Sequence, residues 1–113
     1  MTEFELQKRI VAWFRERYPK YLLFSVPNEA THKQANKFKS SGLLPGAPDL
    51  VLILPEKVIF LELKVGTNTQ SGEQRWFEIK AQQLSQQYYL IRDLEDFKTV
   101  LRNNLHCENW VDL

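Results

Sequence analysis

Two apolar runs separated by two residues constrain this chain more than any other feature. Residues 49 to 54 read Asp-Leu-Val-Leu-Ile-Leu, and residues 57 to 65 read Lys-Val-Ile-Phe-Leu-Glu-Leu-Lys-Val, with Pro55 and Glu56 between them. A near-continuous apolar run of strand length is what a β-strand covered on both faces needs. The two-residue spacer predicts a tight turn, and so an antiparallel hairpin. A hairpin apolar on both faces must be sandwiched, so the rest of the chain has to supply layers above and below it.

The flanking sequence supplies helices. Over residues 3 to 18, Leu6, Ile10, Trp13 and Phe14, then Arg17, recur at the spacing of one helical stripe, and Pro19 stops the element. Thr2 and Glu5 stand three apart, as a capping box requires. Residues 21 to 26 read as a strand, and 30 to 41 as a polar helix followed by the turn-rich loop Gly42-Leu-Leu-Pro-Gly-Ala-Pro48. Ser71 and Gln74 offer a second capping box, opening a helix to about Gln86 with Trp76, Phe77, Ile79, Lys80 and Leu84 on its inner face. Tyr88 to Ile91 is a short strand, Asp93 caps a helix to about Arg102, and the tail 103–113 reads as a short strand or irregular arm carrying Trp110. The expected order is α-β-α-β-β-α-β-α: an α/β layer fold around a mixed central sheet.

A chain of 113 residues supports a single domain, here 1–113, with one core. The 43% hydrophobic content fills that core and excludes disordered, collagenous and coiled-coil readings. A single cysteine, Cys107, allows no intrachain disulfide, which points to a reducing, cytoplasmic setting. No run approaches the ~18 apolar residues of a membrane span, and the N-terminus shows no secretory signal.

The chemistry sits at one end of the hairpin. Asp49 opens the first strand, while Glu62 and Lys64 lie near the end of the second, two apart and so on one face. Pairing the strands through the Pro55–Glu56 turn brings Asp49 beside Glu62 and Lys64. Two converging carboxylates repel each other, and a hard divalent cation removes the repulsion. Mg²⁺ or Mn²⁺ would take Asp49, Glu62 and the Leu63 carbonyl, with Lys64 positioned to hold an attacking water or meet charge developing on a phosphate. Singly, each residue also fits a plain strand face or turn. His32 stands alone, and His106 and Cys107 lie at the far end of the chain, so a zinc site is not expected.

Gly46-Ala-Pro48-Asp49 followed by Leu61-Glu62-Leu63-Lys64 resembles the PD-(D/E)xK nuclease superfamily. Adding Pro27-Asn28-Glu29, the loop Gly42 to Asp49, and Gln74 with Trp76 after it, the chain is similar to the VRR-NUC branch from Glu5 to about Asp96. That resemblance implies a restriction-endonuclease-like fold and metal-dependent hydrolysis of DNA. It assigns Glu5 to the metal site, though Glu5 equally fits the cap with Thr2. It places Gln74 and Glu29 at the active site, against a cap with Ser71 and a solvated loop acid respectively. Stand-alone phage and bacterial members imply homodimers acting on four-way (Holliday) junctions, in a bacterial or phage-infected cell. Nucleases of flap or restriction type, and a non-cleaving nucleic-acid-binding module, are the alternative readings.

The formal net charge of +1 decides nothing about DNA, so charge placement matters. Lys33, Lys37 and Lys39 form the densest positive cluster, and Arg75 stands beside the expected site. Lysines at helical-turn spacing contact phosphates and position a duplex without reading its sequence. The competing reading is a solvated helix face.

Overall fold

A computed structural model describes residues 1–27 and 40–105. The expected polar helix falls almost wholly outside these residues, as do Asn28, Glu29, His32, Lys33, Lys37, Lys39 and the tail beyond Leu105. Ser40 and Ser41, its last two residues, stand in a turn rather than a helix.

The described elements are α1 (Glu3–Arg17), β1 (Leu22–Ser25), β2 (Leu50–Leu54), β3 (Lys57–Leu63), α2 (Gly72–Gln83), β4 (Gln87–Ile91) and α3 (Leu94–Asn104). The sheet order is β1-β2-β3-β4. β2 pairs antiparallel with both β1 and β3, whereas β3 and β4 run parallel. That parallel step needs a crossover, and α2 provides it. The sheet is therefore mixed, as the sequence predicts.

Alternation along the strands sorts side chains between two layers. Leu23, Leu50, Leu52, Leu54, Ile59, Leu61, Leu63 and Ile91 turn to one face, where they form a single cluster with Leu6, Ile10 and Phe14 of α1 and Phe97, Val100 and Leu101 of α3. Phe14 meets Phe97 edge to face, with ring centroids 5.8 Å apart. Val51, Phe60, Glu62, Lys64 and Tyr88 belong to the opposite face. Here α2 sets Phe77 against Phe60 at 5.2 Å and Tyr88 at 6.1 Å.

The capping boxes form at both expected places, Thr2 with Glu5 and Ser71 with Gln74. Asp93 caps α3, which runs on to Asn104, so Asn103 and Asn104 belong to the helix and not to the tail. The inner face of α2 differs from expectation. Trp76, Ile79 and Leu84 are exposed, as is Lys80, while Gln74, Phe77, Glu78 and Ala81 turn inward. Adjacent helical residues point 100° apart, so only one of Trp76 and Phe77 can reach the sheet, and Phe77 takes the slot between Phe60 and Tyr88. The helix ends at Gln83 because Ser85 adopts a left-handed conformation (φ 60°).

At the start of β3, the C-terminus of α3 is stapled to the sheet. Gln87 Nε2 donates to Asn104 Oδ1 (2.8 Å), Asn104 Nδ2 to the Val100 carbonyl (2.8 Å), and Lys57 Nζ to the Asn104 carbonyl (3.2 Å). Tyr89 adds its hydroxyl to Gln87 Oε1. No helix among the described residues is long and apolar enough to cross a membrane.

Candidate active site

The hairpin register brings the acidic pair together. Leu50 is the partner of Leu61, which sets Asp49, one residue earlier, opposite Glu62. Asp49 Oδ2 accepts the Leu63 amide N–H at 2.7 Å, and the Asp49 carbonyl accepts from Val26 at 3.0 Å. Asp49 is thus clamped by the strands on both sides. Leu63 joins the site through its backbone.

Glu62 is the anomaly of the molecule. It is 1% exposed, and among the described residues neither oxygen of the ionised carboxylate accepts a hydrogen bond. Burial, foremost, pushes its carboxyl up to about 9, and the Asp49 carboxyl pushes the same way, through the proton the two can share and through its charge; Lys64 pulls it down. Lys64 shares the Glu62 face, is 8% exposed, and makes no ion pair among the described residues. Its amide extends the parallel ladder by donating to the Ile91 carbonyl at 3.1 Å.

An unsatisfied, fully buried carboxylate is expensive, and a native fold keeps one where a ligand completes it. The donor set here is oxygen only, two carboxylates with backbone nearby, which suits Mg²⁺ or Mn²⁺ and does not suit zinc. Among the described residues no three Asp, Glu, His or Cys side chains cluster into a closed cage. Mg²⁺ needs no such cage, since it binds through one or two carboxylates and keeps several waters.

The first helix contributes differently from expectation. Glu5 is exposed, and its Oε2 accepts the Thr2 N–H at 3.2 Å, so the cap claims it. Glu3 is the α1 carboxylate whose charge bears on Glu62, and it accepts from Asn68 Nδ2 at 3.2 Å. The signal was present in the sequence. Glu3 extends the stripe of Leu6 and Ile10, and a residue spent on a cap cannot also face the sheet.

Gln74 also serves a cap: its Oε1 accepts the Ser71 N–H at 2.9 Å, and its own N–H donates to Ser71 Oγ at 3.2 Å. The same turn of α2 is held against the loop that delivers Asp49. Gly46 has φ +85°, and a Cβ there would collide with the Glu73 carbonyl and the Gln74 amide. Only glycine combines that conformation with that approach. Arg75 is largely exposed and pairs with Glu78 at 2.5 Å, so part of its charge is neutralised. Beneath the helix, Tyr88 accepts from Gln70 Nε2 at 3.2 Å, and burial raises its hydroxyl's pKa above the ordinary value.

The fold and site define a class: a mixed four-stranded sheet with an acidic pair and a lysine converging where β2 begins and β3 ends. Among solved structures, one described as a VRR_NUC domain protein superposes with a TM-score of 0.76, over 93% of this chain and 88% of that one, at 18% sequence identity. The chain therefore has the fold of a VRR_NUC domain protein. No family model matches the sequence, and no curated protein matches it.

Proposed function

We propose that this protein is a metal-dependent DNA endonuclease of the VRR-NUC type, acting as a homodimer on four-way junctions in the cytoplasm. The observation that carries the reading is Glu62: a buried carboxylate without a donor, opposite Asp49 and on the same face as Lys64. The fold shared with a VRR_NUC domain protein supports it independently. Branched DNA and the dimer rest on the motif resemblance alone.

In this reading Asp49 and Glu62 would hold the cation through their carboxylates, with the Leu63 carbonyl as a further oxygen donor. Asp49 Oδ2 is spent on the Leu63 amide, which fixes the carboxylate plane. A bound Mg²⁺ or Mn²⁺ supplies Lewis acidity, lowering the pKa of water and drawing charge from the phosphoryl group. Lys64 Nζ orients the attacking water and then donates to the phosphoryl oxygens as negative charge builds on them. Water oxygen bonds to phosphorus and gives up a proton to solvent as the bond to the leaving oxygen breaks, and that oxygen takes up a proton from solvent. Glu3 acts through water, in the role the motif pattern gave to Glu5. The motif resemblance gives Gln74 and Glu29 roles at the active site, and Lys33, Lys37, Lys39 and Arg75 would contact phosphates.

The test is a labelled four-way junction beside a linear duplex of the same arms, each with Mn²⁺, Mg²⁺ or EDTA. Paired, metal-dependent cuts near the branch point with the linear duplex spared are expected. Cutting of both substrates would keep the nuclease and remove junction selectivity. Binding without a cut in either metal would replace the enzyme with a binding module.

A further inference from the structure

A second surface reaches toward the site from the first helix. Between α1 and β1 lies an open groove of about 420 Å³, lined by Gln7, Lys8, Val11, Ala12, Arg15 and Ser25. That volume falls within the range of sites that bind small ligands, about 300–1,000 Å³. Its Ser25 end lies beside the start of β2 on the α1 face of the sheet, one residue along from Asp49, while Glu62 and Lys64 turn to the other face. Ser25 is the register partner of Leu50, the residue after Asp49, and Val26 donates to the Asp49 carbonyl. Gln7 stands one helical turn beyond Glu3, the carboxylate whose charge acts on Glu62.

The groove is positive and built. Arg15 Nη2 donates to the Leu23 carbonyl at 3.0 Å, a group that the edge strand β1 leaves free on its outer side. That bond anchors the guanidinium at the rim and leaves its other N–H donors for a ligand. Lys8 rests its ammonium 5.5 Å from the Phe4 ring centroid. Among the described residues neither cation forms a salt bridge, unlike Arg75 and Lys98, which pair with Glu78 and Glu95. An ordinary solvated helix face would scatter such charges. Here two unbalanced cations flank an apolar floor of Val11 and Ala12, at the sheet edge where β1 pairs with the start of β2.

We infer that this groove carries the DNA backbone on one side of the scissile phosphate, with Lys8 and Arg15 each holding a phosphate and Val11 and Ala12 packing a sugar. The identity of the ligand rests on the nuclease reading; the groove and its charge do not.

The test is the salt dependence of DNA binding, read by fluorescence anisotropy of a labelled four-way junction without divalent cation. Each phosphate that the protein no longer neutralises lowers the slope of log K against log salt by about 0.9. Lys8→Ala and Arg15→Ala are each expected to lower it by about that amount, and the double variant by about 1.8. Arg15→Lys should retain the slope, and Lys98→Ala, on α3, should leave it at the wild-type value. Melting curves guard against misfolding. Parallel salt plots for wild type and the double variant, with metal-dependent cutting intact, overturn the groove and spare the nuclease. A reduced slope in a protein that cuts nothing overturns the nuclease and spares the groove. Displacement of the junction from wild type, but not from the double variant, by polyglutamate at equal charge concentration would assign the groove to an acidic peptide and overturn the DNA track.

Discussion

The sheet buries polar groups at both ends of β3, and the two ends treat them in opposite ways. At the start of the strand, Asn104, Gln87, Lys57 and Tyr89 satisfy one another, and the bonds from Gln87 and Lys57 to Asn104 fasten α3 to the sheet. At its end, Glu62 is buried, as the core leucines are, yet both of its oxygens lack a donor. Nothing in hydrophobic packing asks for a glutamate there; a leucine would cost less. A fold that solves one burial problem completely and leaves the other open reserves the open one for something that binds.

The largest expected effect breaks the open end. Lys64→Ala should lower the cutting rate by about 10²–10³-fold, the usual result of removing one preorganised donor to developing charge. Metal binding should persist, as checked by calorimetry, because Lys64 is no ligand. Next, saturating the site should stabilise the protein. At a metal concentration of about 100 times Kd the gain is about 2.7 kcal/mol, seen as a rise in Tm with Mn²⁺ that EDTA reverses. The closed end should respond the other way. Asn104→Ala strands the Gln87 amide, while Lys57 keeps the backbone carbonyl, and should cost about 1–3 kcal/mol in chemical denaturation, with no change in metal affinity.

The same carboxyl sets the pH dependence of the metal-free protein. The folded-state value of Glu62, about 9, lies above its ordinary 4.5, so folding retains a proton that the unfolded chain gives up. The stability that Glu62 contributes is full below about pH 4.5 and is lost as pH rises through about 9. Denaturation midpoints should therefore fall across that window, and Glu62→Gln should flatten the fall while raising stability near pH 8. Metal affinity should rise with pH over the same range, since the cation must displace the proton.

Much of this was legible in the sequence, and the reasons are local. The hairpin follows from two apolar runs and a two-residue spacer, and its register alone sets Asp49 opposite Glu62. Both capping boxes are patterns three residues long. What escaped depends on tertiary choice. Trp76 and Phe77 are equally apolar neighbours, and only the position of Phe60 and Tyr88 across the crossover decides which one is buried. Glu3 and Glu5 compete in the same way, and the cap takes Glu5, leaving Glu3 as the α1 carboxylate whose charge bears on Glu62. The left-handed Ser85 that shortens α2 carries no turn signature stronger than its neighbours'. Gly46 was visible as part of a motif, but its reason, the close approach to the first turn of α2, belongs to the folded chain.

The central claim is that Glu62 is buried for a cation. It is tested most directly by titrating Mn²⁺ into the wild-type protein at pH 7 by isothermal calorimetry, in two buffers of different ionisation enthalpy. The account predicts a single class of binding site accompanied by release of close to one proton, and loss of both binding and proton release in Glu62→Gln. Absence of binding in the wild type, or equal binding with no proton released in both proteins, would contradict it.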